Sequence, residues 1–227
     1  MTRTVRPMIL VLLAVAAVGA VAALAVSTSA PTSAPAMTLP PPATTGHMSL
    51  EEALATRRSV RHFQSTPLTP KQIGQLCWAA QGVTEPKRGL RTAPSAMAKY
   101  PLELYVVTAE GARHYVPATH ALEPCQGGDL RATLGRQRTV AEAPAVFVFT
   151  AVPSRMGGRF PQRTQRWIDL EVGHDAQNLL LQAVALGLGA VPVGGYDEAA
   201  VAQALQLPEG QQVCYLVPVG TPAGSGP

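Results

Sequence analysis

Apolar positions recur at helical spacing through the longest uninterrupted stretch of this chain. From about Arg163 to Leu186 there is no proline and one glycine, Gly173. Trp167, Leu170, Val172, Leu179, Leu180, Leu181, Val184 and Leu186 carry the period. At about 1.5 Å per residue such a helix is about 35 Å long. Its second half is apolar nearly all round, which predicts a central helix enclosed on several sides. Gly187 and Gly189 stop it, and Ala190–Val193 then reads as a short buried strand.

The remaining pattern is mixed. Ser49 with Glu52 makes a capping box and opens a short helix through Arg57. Thr69 caps a second helix, with Pro70 in its first turn, running to about Ala80. Residues 81–93 read as a loop rich in Gly, Pro and Arg. Leu102–Thr108 (LELYVVT) is a strand by its β-branched and aromatic residues, and Ala145–Ala151 (AVFVFTA) a fully buried one. Residues 112–122 suit a hairpin and 129–134 a short helix. An amphipathic helix over 197–207 and a strand over 213–219 close the domain. Helices and strands mix without strict alternation, so the predicted class is α+β.

The amino-terminal end reads as an address. Arg3 and Arg6 precede an uncharged run from Met8 to Val26, so residues 1–27 are expected to be a signal peptide or a membrane anchor. That places the rest of the protein extracytoplasmic. Residues 28–48, rich in Pro, Thr, Ser and Ala, read as an unstructured linker. The folded domain is expected over 49–222, with 223–227 as a tail. The net charge of +4 includes Arg3 and Arg6, and what remains is too small to indicate nucleic acid. Cys77, Cys125 and Cys214 are an odd set, and no disulfide pairing can be read from them.

Three stretches carry candidate chemistry. Arg57, Arg58, Ser59 and Arg61 place guanidinium forks and a hydroxyl within five residues, which suits a phosphate. A solvated basic turn is the bland alternative. The second stretch is RTAPSAMAKYP at Arg91–Pro101. Its small residues let backbone approach a flat ligand, and Lys99 and Tyr100 both titrate. It reads equally as an ordinary entry loop with Tyr100 packed on the core and Lys99 in water. The third is Glu171, His174, Asp175, Gln177 and Asn178 on the central helix, with no metal-ligand spacing; a polar network in a dimer interface accounts for it as well. Gly187-Leu188-Gly189 ends a helix instead of opening one, so it is no dinucleotide fingerprint. A hydrolase using Ser95 lacks a base.

Together these stretches resemble the nitroreductase family of flavin enzymes, and within it the SagB-type or thiazoline/oxazoline dehydrogenase branch. The resemblance rests on RRSVRHF at 57–63, WAAQGVT at 78–84, RTAPSAMAKYPLELYVV at 91–107, EVGHDAQNLLLQAVALGLGAVPVGGYD at 171–197, and PVG at 218–220. It implies a nitroreductase-like fold with an antiparallel-rich sheet, a homodimer, and FMN at the subunit interface. On that resemblance Arg57, Ser59 and Arg61, with Arg58 beside them, hold the FMN phosphate. Pro94, Ser95 and Ala96 line the ring, Gly194 and Gly195 lie near its N5 edge, and Lys99-Tyr100 looks like the proton-handling pair of that branch. Related chains often carry Gly at the place of Met97 and Arg at that of Thr221. The implied activity is hydride transfer between NAD(P)H, or a substrate, and an electron-poor or azoline-type small molecule. The alternative is a membrane-tethered flavin-binding module without turnover.

Overall fold

The computed structural model describes residues 35–224 of the chain. In chain order the elements are β1 (Met37–Thr38), α1 (Leu50–Thr56), α2 (Pro70–Gln81), β2 (Val83–Glu85), β3 (Leu90–Arg91) and β4 (Leu102–Thr108). There follow β5 (Gly111–Val116), β6 (Ala121–Gly127), α3 (Arg131–Leu134), α4 (Arg138–Ala141) and β7 (Ala145–Ala151). The last are α5 (Pro161–Ala185), β8 (Gly189–Ala190), α6 (Glu198–Leu205) and β9 (Gln212–Gly220). Seven strands form one sheet in the order β1-β6-β5-β4-β7-β9-β8, and every pairing is antiparallel.

Strand β7 sits inside the sheet, and alternate residues serve two cores. Ala145, Phe147, Phe149 and Ala151 join one cluster with Ile73, Leu76 and Ala80 of α2 and Ile168, Leu179 and Ala183 of α5. Val146 and Val148 join the other, with Leu134, Val140, Val201 and Leu205 of α3, α4 and α6. The period of two sends the side chains of one strand to opposite faces, so a strand covered on both reads as an unbroken apolar run.

Caps set the helix ends. Thr69 Oγ1 accepts from Gln72 N–H while Gln72 Oε1 accepts from Thr69 N–H, a complete capping box. At Ser49 only half the box forms, with Oγ accepting from Glu52 N–H. Helix α5 ends in a Schellman motif: Gly187, at φ +70°, donates to Val184 O, and Leu188 N–H donates to Ala183 O at 2.8 Å.

Several expectations need correcting. Helix α5 is long, at 25 residues, but it buries one face and is not apolar all round. Ile168, Val172, Ala176, Leu179, Leu180 and Ala183 are buried, whereas Gln177 is exposed and Leu181 and Val184 are half-buried. The apolar residues of its second half that turn from the sheet border a groove of about 670 Å³ with Leu50 and Trp78. The linker expected over 28–48 is partly structured. Met37 and Thr38 pair with Leu122 and Ala121, Leu39 is buried, and His120 Nε2 donates to Pro40 O at 3.0 Å while its Nδ1 accepts from Tyr115. Two apolar side chains completing an open sheet edge outweigh the local Pro-rich composition. The loop over 81–93 contains the small β2–β3 hairpin. All three cysteines are free thiols.

The extracytoplasmic placement is also overturned. Among the described residues no helix is long and apolar enough to cross a membrane. The Met8–Val26 run on which the signal or anchor rested lies outside the described residues.

Candidate functional site

The basic segment is stitched to one edge of the sheet. Helix α1 ends at Thr56, with Arg57 N–H donating to Ala53 O. The next residues run extended: Ser59 pairs in parallel with Ala190, and Phe63 bridges to Pro222. Gln64 N–H donates to Thr221 O and Ala223 N–H to His62 O. Two glycines make the close approach possible. A Cβ on Gly189 would stand 2.6 Å from Val60 Cβ, and one on Gly220 would stand 2.9 Å from Phe63 Cβ.

Within the segment the four polar side chains have different duties. Arg58 Nη1 donates to Ala55 O at 2.9 Å and Arg57 O at 2.8 Å, closing the end of α1. Arg57 is half-buried, and Ser59 and Arg61 are exposed. Neither Arg57 nor Arg61 forms an ion pair among the described residues. Arg61 also lines a cavity of about 220 Å³ with His62, Phe63, Arg138 and Glu142.

Beyond Ala190, Val193 N–H donates to Leu216 O and the chain turns at Gly194 and Gly195. Both glycines are exposed. The nearest atom to a Cβ built on Gly194 is 3.9 Å away, on Tyr215, so main chain is open at Gly194, while Gln137 Nε2 donates to Gly195 O at 3.3 Å. Ser59 and the glycine corner thus belong to one sheet edge, linked through the Ala190 rung.

The second predicted stretch is tied elsewhere. Thr92 N–H donates to Gly82 O, Thr92 Oγ1 to Ala80 O at 3.0 Å, and Asn178 Nδ2 to Thr92 O at 3.5 Å. The segment that follows is strained: Met97, Ala98 and Tyr100 all have positive φ, of 56°, 52° and 46°. Such residues cost roughly 1–3 kcal/mol each and persist only where surroundings hold them. Tyr100 N–H donates to Ser95 Oγ at 2.8 Å and Arg155 Nη1 donates to Tyr100 O. Arg91 N–H donates to Tyr100 Oη at 3.3 Å, and its guanidinium lies 4.6 Å over the ring. Tyr100 is half-buried, whereas Lys99, Pro94 and Met97 are exposed and Ser95 and Ala96 half-buried.

Beneath this segment α5 carries two acids one turn apart on its buried face. Glu171 is 4% exposed and Asp175 2%. Gln81 Nε2 donates to Asp175 Oδ2 at 3.0 Å, while Gln81 Oε1 and Glu171 Oε2 have no partner. Burial pushes the Asp175 carboxyl well up, against the Gln81 contact, and Glu171 adds to the rise. Burial also raises Glu171, partly offset by the Ser95 hydroxyl and by Arg91. Burial lowers Arg91, against the attraction of Glu103, Asp175, Tyr100 and Glu171. His174 and Gln177, grouped with these acids by sequence spacing, are exposed. Sequence spacing did not separate the two acids from their exposed neighbours; a carboxylate pair at i, i+4 on an apolar helix face was the available signal.

Within one chain the arginine segment is bridged to Ala190, on the strand that leads to Gly194, while Thr92, ahead of Pro94–Ala96, is bonded to Ala80 and Asn178. No hydrogen bond or strand bridge joins the two groups among the described residues.

A family model described as "Nitroreductase family" matches residues 54–221. A protein of Methanocaldococcus jannaschii assigned as a nitroreductase is 38% identical over 181 residues, covering 75% of this chain and 90% of the relative. The crystal structure of a protein from Ralstonia eutropha, also assigned as a nitroreductase, superposes with a TM-score of 0.80 at 35% identity, over 86% of this chain and 92% of that one. An NADPH:FMN oxidoreductase from Vibrio harveyi, complexed with NAD+, shares the fold with a TM-score of 0.57 at 24% identity, over 78% and 72% of the two chains.

Proposed function

The chain belongs to the nitroreductase family, and on that premise we propose that it is an FMN-dependent oxidoreductase. The observation that supports the reading is the Ser59–Ala190 bridge, which joins the arginine segment to the strand that runs on into the exposed Gly194–Gly195 turn. The residues present fit the cofactor. Unpaired guanidinium groups suit its anionic end, and glycine backbone suits its flat ring. Arg57, Ser59 and Arg61 would hold the phosphate, with Arg58 holding the turn beside them. Gly194 and Gly195 would meet the ring edge. Bound FMN would supply hydride transfer, with NAD(P)H or the substrate as donor.

The rest of the site is proposed to come from a second copy. Pro94, Ser95 and Ala96 belong to a different part of the chain from the arginines, so a homodimer would complete the ring-lining surface. Within the family, the RTAPSAMAKYP stretch supports the SagB-type branch, with an electron-poor or azoline-type small molecule as substrate. Tyr100 Oη takes the Arg91 N–H and the exposed Lys99 is the solvent-facing member of the pair. In this reading Lys99 exchanges protons with solvent while Arg91 holds Tyr100 in place.

Purified protein should be yellow, or turn yellow with added FMN, and NADPH should bleach it. A colourless protein that takes up no FMN would refute the assignment. Light scattering should give twice the chain mass.

A further inference from the structure

We infer that Arg155 is a positioning residue: it clamps the Tyr100 carbonyl and so holds segment 94–100 in the shape that meets a ligand. The inference rests on the flavin-site reading above, and concerns what keeps one half of that site closed before the ligand arrives.

The segment needs support from outside. Met97, Ala98 and Tyr100 stand at φ 56°, 52° and 46°, where a Cβ crowds the backbone. Burial does not hold them there, because no residue from 94 to 100 is buried. The bonds within the segment are local. Ala98 N–H donates to Ser95 O at 3.0 Å, Lys99 N–H to Ala96 O at 3.2 Å, and Tyr100 N–H to Ser95 Oγ at 2.8 Å. Such bonds shape a turn but do not tie it to the sheet.

The tie comes from the turn after β7, Pro153–Met156. Arg155 Nη1 donates to Tyr100 O at 3.3 Å, and Val152 N–H donates to Pro101 O at 2.8 Å. The other nitrogen of that guanidinium, Nη2, donates to Glu103 Oε1 on β4. Glu103 is itself fixed. Its Oε2 accepts from His114 Nε2 of β5 at 2.5 Å, and its side chain is 15% exposed. The His114 ring lies against Tyr105, centroids 5.0 Å apart, and Tyr105 Oη accepts from Gln211 Nε2 at 3.1 Å.

A guanidinium is a planar fork with its nitrogens in fixed relation. A carboxylate anchored to two strands therefore decides where the second nitrogen points, and it points at the Tyr100 carbonyl. Arg91 meets the same residue differently, through its side chain: its N–H donates to Tyr100 Oη and its guanidinium lies over the ring. Arg91 thus holds the ring, and Arg155 holds the peptide at the end of the left-handed run. Without Arg155 that peptide is free to turn and the strain to relax. A ligand that rests on Pro94–Ala96 binds the closed form, so its apparent affinity scales with the closed fraction.

The test is amide hydrogen exchange on the full chain, read on peptides covering 94–101 and on peptides of β7, without and with FMN. Local openings show in such exchange separately from global unfolding. In Arg155→Met, exchange over 94–101 should run about 10-fold faster while β7 and the urea midpoint stay near wild type. FMN affinity should fall by the same factor, and saturating FMN should restore slow exchange. Arg155→Lys should fall between, since one ammonium lacks the fork but keeps the charge; it carries the test if the Met variant does not fold. Wild-type exchange over 94–101 in the variants, or equal acceleration in β7, would overturn the clamp. Faster local exchange with unchanged FMN affinity would overturn the positioning role and leave the proposed function standing. A wild type that binds no FMN would sink the proposed function instead, and the exchange without FMN would still decide whether Arg155 holds the segment.

Discussion

Val60 N–H donates to Ala190 O at 3.1 Å, and that contact lays the arginine segment along the strand leading to the glycine corner. It is possible because Gly189 has no side chain where Val60 packs. Gly189→Ala should therefore cost about 1–3 kcal/mol by overpacking. Val60→Ala in the same chain should recover part of the loss, since the two residues touch. Urea unfolding of the two single variants and the double variant checks the coupling; strictly additive effects would show that the close approach is not what Gly189 protects.

Arg57→Ala with Arg61→Ala should abolish most FMN uptake and leave the fold intact. Charge-assisted hydrogen bonds contribute roughly 1.5–3 kcal/mol each, so affinity should fall by roughly 100-fold or more. Fluorescence titration with FMN, alongside circular dichroism, separates the two effects. Full FMN affinity in the double variant would remove the phosphate assignment.

The buried acids predict the direction of a pH dependence. Burial raises Glu171 and Asp175 above ordinary values of 4.5 and 3.8. Above those values the folded chain holds more protons than the unfolded one, so stability falls as pH rises through each raised value. Glu103 acts oppositely: burial raises it, but His114 and Arg155 bring it below 4.5 overall, and its contribution is lost as pH falls. Glu171→Gln should flatten the decline that sets in as pH rises above the ordinary value of 4.5, and leave unchanged the loss that Glu103 brings as pH falls. Urea midpoints across a pH series report both limbs, and an unaltered decline with rising pH would contradict the account.

Met97 stands at φ 56° and is 48% exposed. A β-branched residue tolerates that conformation poorly, so Met97→Val should destabilise by about 1 kcal/mol. At this domain size that lowers the melting temperature by roughly 2–4 °C. Met97→Gly should change it little, because relief of the left-handed strain is offset by the greater freedom of glycine in the unfolded chain. A valine variant as stable as wild type would show that the segment relaxes.

Sequence alone determined the elements whose signals lie within a few residues of one another. The AVFVFTA run is β7 from Ala145 to Ala151, Thr69 and Pro70 open α2, and α5 ends at the glycines that stop its period. The basic segment was legible in the same way, because its arginines are neighbours. Only the tertiary structure decided that Arg58 closes its own helix, that Met37–Leu39 complete the sheet, and that Glu171 and Asp175 are buried while His174 is exposed. Caps and periodicity act between close neighbours, so local sequence carries them. The burial of a charge depends on residues far away in the chain, as where Gln81 meets Asp175 across 94 positions, and no local pattern announces such a meeting.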